Sequence, residues 1–108
     1  MKDYLKLFNN YIKTFDYKDK MILHKFHHTY RVMDFCEQIA LSVNEDIKIA
    51  QLCGLFHDIG RFEQYKKYQT YSDIHSIDHG DLGALILKEN FNSIENYDLI
   101  LFTTKNHN

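Results

Sequence analysis

The sequence predicts an all-α fold, a single bundle of five to six helices, on three observations. Apolar residues recur at three- and four-residue spacing, the period of a helix with one buried face. Breakers are scarce, with no proline and four glycines in 108 residues, so long helices run without kinks. No stretch alternates apolar and polar residues over a useful strand length. At 108 residues, 44 % of them hydrophobic, the chain suffices for one small domain with one core. No repeat, low-complexity tract or linker divides it.

Residues 3–16 place Leu5, Phe8, Ile12 and Phe15 on one helical face. Residues 28–43 do the same with Val32, Cys36, Ile39 and Val43. Residues 46–59 are apolar almost all round, which predicts a central helix covered on most sides. Asp46 is placed to cap its start, and Gly60 sits where a left-handed cap would end it. From Arg61 to Ile77 the chain is polar and tyrosine-rich, predicting a long loop with a short helix over Phe62–Tyr68. Asp78 can cap a helix through Leu82, Leu85, Ile86 and Leu87. Gly80 and Gly83 inside that helix each cost roughly 1 kcal/mol against alanine, so they predict close approach of a neighbouring helix. Asn92 followed by Glu95 resembles a capping box for a last helix through Tyr97, Leu101 and Phe102.

The formal charge of −2 argues against a surface built for long nucleic acids, which need a clustered basic face. Small phosphate-bearing ligands stay open, because a metal can supply the missing positive charge. MKDYLKLFNN has no apolar signal core, and no apolar run approaches the ~20 residues of a membrane span. A cytoplasmic protein without membrane contact is expected. Cys36 and Cys53 form no CxxC pair and lie on apolar stretches, so both are read as buried thiols in a reducing compartment.

Seven histidines in such a chain are the unusual feature, histidine being the commonest metal ligand. Four fall where predicted helices begin or end. His28 opens H-T-Y-R-V, His57 and Asp58 stand together in L-F-H-D-I-G-R, His79 lies in D-H-G-D-L-G-A, and His107 ends T-T-K-N-H. An imidazole beside a carboxylate is a natural ligand pair for Mn, Fe, Co, Ni or Zn. On the dipeptide alone, an N/O pair at a helix end, hydrogen-bonded to backbone, is the favoured reading.

The ordered set H-x-x-R-V, H-D-I-G-R, D-H-x-x-L-G-A and a closing histidine resembles the HD-domain metal-dependent phosphohydrolase superfamily, from about His24 to His107. The resemblance implies a helical domain that holds one or two divalent transition-metal ions and hydrolyses phosphoester or phosphoanhydride bonds, often in nucleotides. It places His28, His57 and Asp58 on the primary metal-ligand positions, and His79 and His107 on a second site bridged by Asp58. Asp58 would also orient the nucleophile, the catalytic role. The H-x-x-R-V register selects His28 over the adjacent His27. The family's pattern closes with a further Asp on a later helix, and it has no counterpart between His107 and the last residue. Asp98 precedes His107 and is a poor substitute. A fragment of a longer protein, incomplete at its C-terminal end, is therefore expected. The alternative is a non-catalytic HD-like module that binds a metal or nucleotide and signals.

Arg61 and Arg31 are the candidate phosphate-binding residues: a guanidinium matches phosphate oxygens bidentately. Arg61 directly follows the dyad and its glycine, whereas Arg31 lies one turn after His28 and could equally form a structural ion pair. The Tyr65–Tyr71 stretch either stacks a base or packs the loop. His24 and His75 have no motif and are read as surface histidines. The expected partner is a small phosphate-containing substrate, and the sequence leaves oligomeric state open.

Overall fold

In a computed structural model that describes residues 2–107, with Lys2 described for its backbone alone, the chain forms six helices and no strand among the described residues. They are α1 (Lys2–Ile12), α2 (Lys20–Ser42), α3 (Ile47–Phe56), α4 (Gly60–Tyr68), α5 (His79–Asn90) and α6 (Tyr97–Asn106). The all-α expectation holds. Helix α2 lies along α3, α5 packs on both α4 and α6, and α6 also touches α3. None of the described helices is long and apolar enough to cross a membrane.

The core is built around aromatic rings. Phe8 of α1 is fully buried and meets Phe56 and Phe62 edge-on, with centroids 6.3 and 6.2 Å away. Edge-to-face pairs of this kind add about 0.5–1.5 kcal/mol beyond the area they bury. Leu52, Leu55, Ile59, Leu87 and Ile100 close the core around them. The residues that precede and follow Asp58 are thus anchored: Phe56, Ile59 and Phe62 are all completely inaccessible.

Two predicted caps form. Asp46 accepts from Ile49 N at 2.9 Å, and Asp78 accepts from Gly80 N and Asp81 N at 2.8 and 3.0 Å. Other local expectations are corrected. Helix α2 starts at Lys20, not 28, because Asp19 caps it by accepting from Met21 N. Its buried stripe runs Ile22, Thr29, Met33, Ala40, and a core threonine interrupts the apolar count that would reveal it. Ile39 and Val43, read as core-facing, are 62 % and 58 % exposed.

Gly60 is not a left-handed cap, since no glycine has positive φ. It begins α4, and a Cβ there would collide with His79 O and stand 2.6 Å from Gly83 N. The Asn92–Glu95 capping box is absent. Asn96 takes a left-handed conformation without a side-chain cap, Asn92 donates to Lys88 O, and Glu95 pairs with Lys48. Phe102 is largely exposed, and α6 buries Ile100 and Thr104 instead. Both cysteines are free thiols but only partly buried, and the Thr103 hydroxyl donates to Cys53 Sγ.

Candidate metal centre

Asp58 follows α3 in the short turn before α4, with an almost fully buried side chain. Two contacts of small residues deliver its partners. Gly60 against Gly83 lets the start of α4 touch α5 closely enough to bring His79, the first residue of α5, alongside Asp58. The buried Thr104 hydroxyl donates to Phe56 O at 3.3 Å, a carbonyl at the end of α3 that also accepts from Ile59 N at 3.2 Å. The Thr104 bond sets the register of α6 so that His107, three residues on, reaches the same carboxylate. His28 arrives from the middle of α2, not from a helix start as expected.

The five residues converge. Asp58 Oδ2 lies 3.2 Å from His28 Nε2 and 3.4 Å from His57 Nε2. Asp58 Oδ1 lies 3.3 Å from His79 Nε2 and 3.2 Å from His107 Nε2. Each carboxylate oxygen is thus addressed by its own pair of imidazoles. Three rings are oriented from behind: His57 Nδ1–H donates to Gly54 O at 2.6 Å, His79 Nδ1–H to Asp73 Oδ2 at 2.7 Å, and His107 Nδ1–H to Thr104 O at 2.8 Å. Those acceptors have no proton to give, so the hydrogen of each neutral ring sits on Nδ1 and the Nε2 lone pair faces Asp58.

This donor set fits a divalent metal ion. Lone pairs and carboxylate oxygens face one another at distances that demand positive charge between them. Protonating all the rings would instead crowd several imidazoliums together with Lys25, a mutual repulsion that disfavours each charge. A cation at each carboxylate oxygen removes both conflicts. His28, His57 and Asp58 offer one three-atom group, and Asp58, His79 and His107 the other. Backbone- and carboxylate-oriented imidazoles are also how proteins ordinarily fix a metal-binding tautomer.

Without a metal, a proton on a neighbouring Nε2 has to supply that positive charge. Burial works to raise the Asp58 carboxyl, but the hydrogen bonds it accepts whenever His107, His57 or His79 carries an Nε2 proton outweigh it and hold the group far below the usual carboxylate range. Burial, then the nearby Lys25 ammonium, lowers His28 and favours its neutral, ligating form. The Asp58 hydrogen bond raises His107. At Asp73 burial again works upward, yet the bonds from His79 and Gln64 hold the carboxyl down to about 2.

The two arginines proposed from the sequence stand in different surroundings. Arg61 Nη1 is spent inside the protein, on Gln64 Oε1 (2.9 Å), Tyr71 O (2.6 Å) and Asp73 Oδ1 (2.8 Å). Through Nη1 the guanidinium clamps the 70–77 loop to α4, while its buried Nε has no hydrogen-bond partner. Arg31 is exposed and lines a surface pocket with Asp34, Phe35 and Gln38. Tyr65 and Tyr71 meet in a tilted contact, centroids 5.0 Å apart, and pack the loop. His24, His27 and His75 are exposed.

Three contributors escape a reading of motifs. Asp73 and the buried Gln64 share the network that orients His79, and nothing local in a polar loop distinguishes them. Lys25 lies 3.5 Å from Asp58 Oδ2; its place one turn before His28 is the signal that could have found it.

The family model described as HD domain matches residues 26–108, spanning every residue of the cluster. No curated protein and no solved structure matches the chain.

Proposed function

The chain belongs to the HD-domain family, in the metal-dependent phosphohydrolase superfamily, and from that premise we propose that it hydrolyses a small phosphoester or phosphoanhydride, with nucleotides the first class to try. The observation that carries this reading is the division of Asp58 between two imidazole pairs, one on each oxygen. Mn, Fe, Co, Ni and Zn all suit a set of imidazole nitrogens and one carboxylate.

His28, His57 and Asp58 would hold one ion, and Asp58, His79 and His107 a second. Bound there, a divalent ion supplies Lewis-acid polarisation of a phosphoryl oxygen and acidification of water. Three protein ligands leave coordination positions open, as a catalytic site requires and a structural one does not. Asp58, kept anionic by its neighbours, orients and holds rather than shuttling a proton. Hydrolysis forms a bond from water oxygen to phosphorus, breaks the bond to the leaving oxygen, and transfers a water proton to the products or solvent.

The test is a phosphate-release screen over nucleotides and simple phosphoesters with added Mn, run on the protein and on Asp58→Asn. Turnover that disappears in the variant supports the proposal. Tight metal binding without turnover on any substrate would favour the non-catalytic module instead.

A further inference from the structure

Three cations act on the histidines of the cluster: Lys25 and Arg31 on His28, and Arg61 on His107. Arg61 Nη1 is engaged by the loop it clamps, and Arg31 is out in solvent. Lys25 is different. Its side chain is 17 % exposed, and its ammonium stands 3.5 Å from Asp58 Oδ2, the oxygen shared by His28 and His57. On its other side the ammonium lies 5.3 Å from the centroid of the Tyr71 ring.

That ring is itself held. The Tyr71 hydroxyl donates to Met21 O at 2.6 Å, one turn before Lys25 on α2, and Tyr65 packs against the ring at a tilt. Lys25 is therefore directed along a prepared path between an aromatic face and the carboxylate, where a cation is stabilised by both.

A long, flexible lysine held beside a carboxylate surrounded by metal ligands raises an electrostatic question. Once a divalent cation takes the charge of Asp58, an ammonium this close is repelled unless an anion lies between them. A phosphoryl oxygen is such an anion, and lysine binds phosphate as a point charge. We propose that Lys25 is the phosphate-recognition residue of this site. Its ammonium takes a non-bridging phosphoryl oxygen of a ligand seated over the His28–His57–Asp58 group, and Tyr71 is the platform that keeps it there. The inference rests on the reading of the cluster as a phosphohydrolase site, and it names the side chain that recognises the substrate class.

The experiment is calorimetric titration of inorganic phosphate into the manganese-loaded protein, its Lys25→Met variant and its Lys25→Arg variant, with manganese affinity measured separately for each. Methionine keeps the stem and removes the charge. The expected result is phosphate binding weakened about ten- to a hundredfold in Lys25→Met, largely restored in Lys25→Arg, with manganese affinity unchanged or tighter in both. The inference is overturned if the unaltered protein takes up no phosphate, or if Lys25→Met binds it equally well. It is also overturned if manganese and phosphate affinities fall together, since Lys25 would then support the metal group alone. Phosphate binding through Lys25 by a protein that hydrolyses nothing would keep this inference and sink the hydrolase reading.

Discussion

His79 and His107 face each other Nε2 to Nε2 at 2.9 Å, and in their neutral forms neither has a hydrogen to place between them. Both ring hydrogens are committed at Nδ1, to Asp73 and to Thr104 O. Without metal, a proton must fill the gap; with metal, the ion takes its place. Metal binding is therefore expected to release protons, and affinity to fall as pH drops through the histidine range. Titrations in buffers of different ionisation enthalpy measure the release directly. Binding with no proton exchange at pH 6 to 7 would mean that the two rings are not joint ligands.

Asp73 accepts His79 Nδ1–H and the His79 backbone N–H on one oxygen, and Arg61 and Gln64 on the other. Asp73→Asn is expected to cut metal affinity about 10–100-fold, the usual cost of losing a group that orients a ligand. The same carboxyl carries a pH signature. Its folded value of about 2 is below its ordinary 3.8, so its stabilisation is fully present above about pH 4 and lost as pH falls through about 2. Acid-unfolding curves should show that segment flattened in the variant, and an unchanged curve would remove Asp73 from the account.

Thr104 holds α6 to the end of α3 through a buried hydroxyl. Thr104→Val keeps the volume and leaves Phe56 O with Ile59 N as its donor, so the expected cost is the net worth of one hydrogen bond, about 0.5–1.5 kcal/mol. For a domain near 100 residues that lowers Tm by about 4–8 °C per kcal/mol. Because His107 depends on the same turn, metal binding at the His79–His107 group should weaken more than at the His28–His57 group. Equal loss at both would show that Thr104 contributes general stability only.

Gly60→Ala puts a Cβ against His79 O and the Gly83 backbone, contacts that cannot yield by a side-chain rotation. The expected cost is at least about 1–3 kcal/mol, the range for overpacking a tight interior. Thermal unfolding of the metal-free protein checks it. A Tm within a degree of the unaltered protein would mean that α4 and α5 do not approach as described.

The cluster's members were legible because ligand chemistry is carried by residue type: the H-D-I-G and D-H-G motifs name His57, Asp58 and His79 before any folding. The caps at Asp46 and Asp78 were legible for the same reason, since a cap is a contact over two or three residues. What lay beyond the sequence was set by distant partners. The fate of Arg61 depends on a loop ten to twelve residues away folding back onto α4. The start of α2 was hidden because Thr29 takes a fully buried core position. Gly60 carries the cue of a helix cap, but its role is set by α5, nineteen residues and more downstream.

The central claim is that Asp58 and its histidines hold divalent metal. Anomalous diffraction at the manganese edge, from crystals grown with manganese, tests it most directly. Anomalous density is expected beside Asp58, on the Oδ2 side among His28 and His57, on the Oδ1 side among His79 and His107, or on both. Crystals soaked in manganese with no density at Asp58, or with density only elsewhere on the protein, would contradict it.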